Sequence, residues 1–94
     1  LQTNSSWFFD AHVVGKVDST SDSITVQLKG AITRAGGNAS ILGAVFEFIV
    51  HDSSAGTYNV SATASGVNLV LTVTGAAGTT VDWVGWVTTA QVID

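Results

Sequence analysis

Two pairs of acidic and histidine residues are the groups in this chain that could carry out chemistry. Asp10 and His12 lie two positions apart, and His51 is followed by Asp52. In a strand, residues two apart point to the same face, so the first pair would lie side by side. Carboxylate and imidazole groups can together bind a transition metal. One hypothesis is therefore a metal-binding adhesin domain that uses Asp10, His12 and His51. The competing interpretation, which we favour, is a polar pair on a solvent-facing strand and no metal.

Residues for catalysis are scarce in the rest of the chain. There is no cysteine, and neither histidine accompanies a nucleophile elbow of the G-x-S-x-G type. Glycoside hydrolysis needs two carboxylates close together in a cleft, whereas Glu47 is the only glutamate and most aspartates lie in or near predicted turns. No glycine cluster joins a strand to a helix, as a phosphate-binding loop requires. We therefore predict that the protein is not an enzyme and uses no cofactor.

Aromatic side chains could bind a sugar by stacking on the apolar face of its ring, and the candidates are Trp7, Tyr58, Trp83 and Trp86. Trp83 and Trp86 are three residues apart, so in a strand they point to opposite faces. The alternation of apolar residues favours the core for Trp7 and Trp83. Trp86 and its neighbour on the same face, Val84, are predicted to contact another subunit or a glycan. Tyr58 is a further candidate for such a contact.

The elements that must position these residues are strands. Ile24 to Ile32 alternates strictly between apolar and polar residues, and Tyr58 to Ser65 and Val67 to Val73 do so similarly. Clusters of Ser, Asp and Gly that predict turns separate the apolar runs, at 18–23, 36–38, 52–57 and 75–78. The pattern predicts an all-β fold: an antiparallel, jelly-roll-like β-sandwich of about six to eight strands, as a single domain over residues 1–94.

Three further segments are apolar on both faces of the predicted strand, namely Trp7–Val17, Ile41–Val50 and Val81–Ile93. A sheet with one face in water would be polar on that face. These strands are therefore expected either to be covered on both sides or to carry an association surface. The chain also has no proline, so its edge strands need some other protection, such as pairing with another chain.

The composition suits an extracellular domain that associates with other chains. Charged residues make up 11% of the 94 residues, against about 25% in an average globular domain. With three Lys and Arg and a net charge of −4, the chain lacks the basic stripe that a nucleic-acid partner needs. No apolar run reaches the ~20 residues of a membrane-spanning helix, so no membrane insertion is expected. Because the sequence starts at Leu1 and contains no methionine, we expect a fragment or processed product of a longer protein.

The run TVTGAAGTTVDW, from Thr72 to Trp83, adds a family resemblance. It resembles a pattern near the C-terminus of a small all-β domain found in the tail fibres and tailspikes of tailed bacteriophages. The upstream strands Phe9–Val17 and Ile24–Ala35 are also similar to that domain, as is the segment that begins at Ile41. The chain departs from the family at Trp86, where a small or polar residue is expected.

The resemblance implies a structural component of the virion, in the extracellular phage tail, without enzymatic activity. Such a domain would be the C-terminal part of a longer fibre protein, would form a homotrimer, and would attach to a receptor on the host surface, such as a glycan. The alternative is a carbohydrate-binding module of a secreted bacterial protein, which would be a monomer with a row of exposed aromatic side chains. Under either hypothesis the contact residues are expected to be Trp86, Val84 and Tyr58.

Overall fold

Six antiparallel strands form the fold in the computed structural model, which describes residues 1–17, 22–51, 58–75 and 80–93. The strands are β1 (Ser5–Val17), β2 (Ser23–Arg34), β3 (Ser40–His51), β4 (Asn59–Ser65), β5 (Asn68–Thr74) and β6 (Val81–Ile93). The predicted all-β class is confirmed, and no helix in the described ranges is long and apolar enough to span a membrane. The turn predicted at 36–38 does connect β2 to β3, whereas those at 18–23, 52–57 and 75–78 lie wholly or partly outside the described residues.

The strands form two sheets. Four pair in the order β3-β2-β1-β6, while β4 and β5 form a separate hairpin. Because β6 returns beside β1 after the hairpin, the large sheet has the strand order of a Greek key. Residues of the hairpin pack with one face of the large sheet in a common hydrophobic core, so the fold is sandwich-like, as predicted.

The core lies between the hairpin and this face of the large sheet, which we call the inner face. Every second residue of β2 points into the core, and Ile24, Val26, Leu28 and Ile32 are at most 1% exposed. On β1 the same alternation buries Phe9, Ala11, Val13 and Val17. The alternation of apolar residues in these two strands therefore predicts correctly which of their side chains are buried. Both strands are central in the sheet, where a neighbour on each side holds their backbone in register.

Two glycines on the inner face make room for large rings from the neighbouring strand. Gly15 pairs with Trp83, and a Cβ atom added at Gly15 would lie 2.6 Å from the indole ring. Gly30 pairs with Phe9, and a Cβ atom there would lie 2.8 Å from the phenyl ring. Each ring thus covers the backbone of a glycine that has no side chain of its own to pack. The two pairs explain how Trp83 and Phe9 fit under a small hairpin.

Gly15→Ala is expected to lower the free energy of unfolding by about 1–3 kcal/mol, because the added methyl group forces the Trp83 ring out of its position. Urea denaturation followed by far-UV circular dichroism measures the loss. Gly36→Ala is the matched control, since a Cβ atom at Gly36 has no atom within 4 Å, and it should change stability by less than about 0.5 kcal/mol. Equal transition midpoints for the two variants would contradict the proposed contact.

The domain is elongated, with principal extents of 48 × 21 × 19 Å. The reason is the length of β1 and β6, which have 13 residues each, in a conformation that advances about 3.3 Å per residue. The hairpin strands have only 7 residues each, too few to cover the whole inner face. Val87 and Ile93 on the inner side of β6 consequently stay 40% and 49% exposed.

Candidate association surface

The face of the large sheet that points away from the hairpin, which we call the outer face, exposes nine large apolar side chains. Cross-strand partners share a face, so the strand registers place all of these side chains on the same side of the sheet. They are Phe8 and Val14 on β1, Leu42, Phe46, Phe48 and Val50 on β3, and Val84, Trp86 and Val92 on β6. Single exposed apolar residues are ordinary, whereas nine on one face make that face the candidate association surface of this domain.

Most of the apolar residues lie in two stripes, one along each edge strand of the sheet. The β3 stripe consists of Leu42, Phe46, Phe48 and Val50, and the β6 stripe of Val84, Trp86 and Val92. β3 keeps its stripe on one face despite an irregular pairing with β2 opposite Lys29 to Ala31, beside which Gly43 takes a φ of +64°. Three strand spacings of about 4.8 Å separate the stripes, a distance of roughly 14 Å.

A polar band lies between the two stripes, on β1 and β2. It contains Asp10, His12, Gln27 and Lys29, which occupy adjacent positions in the register of these strands. The Asp10 Oδ1 atom accepts a hydrogen bond from the Gln27 side-chain amide at 3.2 Å and lies 3.2 Å from Nε2 of His12. Asp10 is thus in position to orient both neighbouring side chains.

Trp86 is held against this band by ring stacking. The centroids of its indole and of the His12 imidazole are 5.4 Å apart, and the two rings are inclined by 16°. Trp86 nevertheless remains 60% exposed, so much of its surface is free for a further contact. An exposed aromatic ring beside hydrogen-bonding groups can contact either the apolar surface of another protein or the ring of a sugar.

The structure separates the residues that the sequence put forward as contact sites. Val84 and Trp86 are on the outer face, 67% and 60% exposed, whereas Trp83 points inward and packs against the core, as predicted. Tyr58 is only 8% exposed and belongs to the core together with Val60. The choice of Tyr58 as a contact residue is therefore wrong, because its position two residues before Val60 turns its ring to the inner side of the hairpin.

The three proposed metal ligands do not come together within one chain. Asp10 and His12 lie on the outer face, but His51 pairs with Ile24, whose side chain points to the inner face. Across the ranges that the structure describes, no three His, Cys, Asp or Glu side chains are grouped to hold a metal ion. The metal-site hypothesis based on Asp10, His12 and His51 is therefore wrong for the single chain, and Asp52 lies outside the described residues.

The alternation within Ile41–Val50 puts the residues of the β3 stripe on one face, but it does not indicate them as contact residues. Phe46 and Phe48 share the face of Trp86 only because β3 and β6 belong to the same sheet. Nothing in the spacing of residues along the chain specifies that arrangement. The available signal was the presence of three two-faced segments, all of which turn out to be strands of the large sheet.

Comparison with protein-family models, curated proteins and solved structures finds no match to this chain. The resemblance of Thr72–Trp83 to phage fibre domains therefore remains a prediction from those residues alone. Residues 76–79 of that stretch also lie outside the described ranges. The functional argument consequently depends on the surface of the domain.

Proposed function

We propose that this chain is a non-enzymatic structural domain of an extracellular fibre, which assembles with two further copies of itself through the outer face and contributes to attachment at a host surface. The observation that carries the proposal is the set of nine exposed apolar side chains on that face. Burial of apolar surface stabilises an assembly by about 25 cal/mol per Å². The aromatic rings of Trp86, Phe46 and Phe48 offer the largest areas to bury.

The two-stripe arrangement favours three copies over two. In a closed ring of three, the β6 stripe of one chain can pack against the β3 stripe of the next, and each chain uses both of its stripes once. The polar bands would then face the common axis, where water can remain. In a face-to-face dimer, the bands would instead press against each other, and desolvation of Asp10 and Lys29 would oppose association.

The shape and the sequence resemblance support a place in a fibre. A domain 48 Å long and about 20 Å across, built on long antiparallel strands, suits a segment of an elongated particle. The stretch from Thr72 to Trp83 resembles the fibre and tailspike domains of tailed phages, which would locate the protein in the virion. The shortage of charged side chains, 11% of the chain, also suits a surface that becomes buried between copies.

The oligomeric state tests this proposal directly. Size-exclusion chromatography with light scattering should give three times the 9.6 kDa mass of the chain at micromolar concentration. A mass of one chain would overturn the proposed assembly. A mass of two chains would overturn the threefold arrangement and replace it with a twofold interface.

A second candidate function is carbohydrate binding by a monomer, as in a carbohydrate-binding module of a secreted bacterial protein. The stacking of Trp86 on His12 favours it, because an exposed indole supported on one side by another ring offers a platform for a pyranose ring. Asp10 and Gln27, which are hydrogen-bonded to each other, could then contact the sugar hydroxyls. Both functions use the Trp86 indole, in assembly or in sugar binding, so they predict different results for a Trp86→Ala variant.

If the domain is a monomeric sugar binder, Trp86→Ala should remove its signals on a glycan array, because the stacking surface is lost. Val92→Ala is the matched control, since Val92 is exposed on the same strand and the same face but lies opposite Ser6, away from His12. It should leave the signals unchanged. Array signals that survive Trp86→Ala would place sugar binding elsewhere on the domain.

A further inference from the structure

A polar cleft opens at the end of the large sheet where β1 begins and β2 ends. Its volume is about 550 Å³, within the range of roughly 300–1,000 Å³ that ligand sites occupy. The hydroxyl-bearing Ser6, Thr33 and Ser40 form one row of the strand register and connect the cleft to the end of the outer face. The side chains that the argument uses are Asn4, Ser6, Thr33, Arg34, Asn38 and Ser40.

The charge of this cleft is opposite to that of the chain as a whole. Arg34 is the only arginine among three cationic residues, and the chain has a net charge of −4. No Asp or Glu is among the described residues that line the cleft. Among the described residues that line the cleft, Arg34 therefore has no carboxylate beside it that would oppose a ligand of negative charge.

Arg34 is held in place before any ligand arrives. Its Nε atom donates to the Gly37 carbonyl oxygen and its Nη1 atom to that of Leu1, both at 2.8 Å. A guanidinium group has five N–H donors, so these bonds leave others for a ligand. The planar fork of donors matches a carboxylate, and prior fixation of the side chain reduces the entropy lost on binding.

The remaining groups of the cleft are neutral donors and acceptors, and several are fixed. The hydroxyl oxygens of Ser6 and Thr33 are 3.0 Å apart, and the Thr33 hydroxyl donates to the Ser5 carbonyl oxygen at 3.2 Å. The main-chain N–H of Asn4 donates to the carbonyl oxygen of Ala35 at 2.9 Å, which ties the two sides of the cleft together. Asn38 and Ser40 are exposed at the rim. Hydroxyl and amide groups of this kind exchange hydrogen bonds with the hydroxyls of a polyol.

We propose that this cleft binds a sugar that carries a carboxylate, with Arg34 on the carboxylate and the amides and hydroxyls of the rim on the ring hydroxyls. The site is separate from the Trp86 platform, because Ser6 lies six residues along β1 from His12, the partner of Trp86. It assigns a ligand class to a surface that the proposed function leaves without a role.

Calorimetric titration of the full chain with three probes tests the proposal. Glucuronic acid and glucose differ by a carboxylate in place of a hydroxymethyl group, while acetate supplies a carboxylate without the polyol. We expect glucuronic acid to bind at least tenfold more tightly than glucose or acetate. Glucose lacks the carboxylate that Arg34 binds, and acetate lacks the hydroxyls that the rim binds. Equal affinity for glucuronic acid and glucose would overturn the role of Arg34. Equal affinity for glucuronic acid and acetate would overturn the role of the rim.

Two variants assign the binding to the cleft. Arg34→Gln removes the positive charge and should weaken glucuronic acid binding at least tenfold. Asn38→Asp adds a negative charge at an exposed position of the cleft and leaves the hydrogen bonds of Arg34 in place. It should weaken binding by at least the same factor. Lys29→Gln is the matched control for charge, since it removes one positive charge from the outer face. Trp86→Ala tests whether the ligand instead binds on the Trp86 indole. Both should keep the affinity of the unmodified chain. Unchanged binding by Asn38→Asp, or equal weakening by Lys29→Gln, would show that the ligand is bound elsewhere.

Discussion

Val84→Glu combined with Trp86→Glu is expected to convert the assembled protein into monomers that keep their strands. Both side chains are more than half exposed in the single chain, so glutamate at these positions costs the monomer little. In the proposed assembly the same positions are covered by the β3 stripe of the next copy. There the charges would be buried without a partner, at a cost of several kcal/mol each. Light scattering measures the change in mass, and far-UV circular dichroism checks that the strand content is unchanged.

A control with the same change in charge is available on the other side of the molecule. Val70 and Thr72 are exposed on β5, where alternation turns them away from the half-buried Leu69 and Leu71. Val70→Glu combined with Thr72→Glu should leave the mass of the assembly unchanged. Dissociation of this control to the same extent would mean that accumulated negative charge, and not the outer face, decides the oligomeric state. If Val84→Glu with Trp86→Glu stays assembled, the interface lies elsewhere.

Phe9→Ala is expected to lower the free energy of unfolding by about 3–5 kcal/mol, because it leaves a cavity over Gly30 that the surrounding backbone cannot fill. Phe9 is completely buried. A domain of this size has only about 5–15 kcal/mol of stability, so this loss is a large fraction of the total. Chemical denaturation in the Val84→Glu, Trp86→Glu background measures the loss in the monomer, without a contribution from assembly.

Phe8→Ala provides a matched comparison at the adjacent residue. Phe8 is on the outer face and 51% exposed, so in the same monomeric background its loss should cost less than about 1 kcal/mol. In the otherwise unmodified chain, the same substitution should also weaken the assembly, because the ring is part of the outer face. Equal losses for the two variants in the monomer would contradict the assignment of Phe9 to the inner face and Phe8 to the outer face.

The residue pattern determined the class of the fold and the face on which most side chains lie. Successive side chains of a strand point to opposite sides for a local, geometric reason, so alternation could be interpreted without knowing which strands pair. That is why Ile24, Val26 and Leu28 were correctly assigned to the core, and why Trp83 and Trp86 were correctly placed on opposite faces. The same geometry makes Val84 a neighbour of Trp86.

Strand order and the extent of the hairpin were decided only by the tertiary structure. His51 lies on the other face from Asp10 because of the register of β3 with β2, and Phe48 lies in one row with Trp86 because β3 and β6 bound the same sheet. The cleft around Arg34 likewise combines residues from the start of β1, the end of β2 and the connection to β3. These contacts join positions far apart in the sequence, and the pairing of strands that creates them depends on how all the strands pack at once. Alternation along the chain therefore revealed that a second apolar face exists, but only the sheet order showed that it consists of two stripes with a polar band between them.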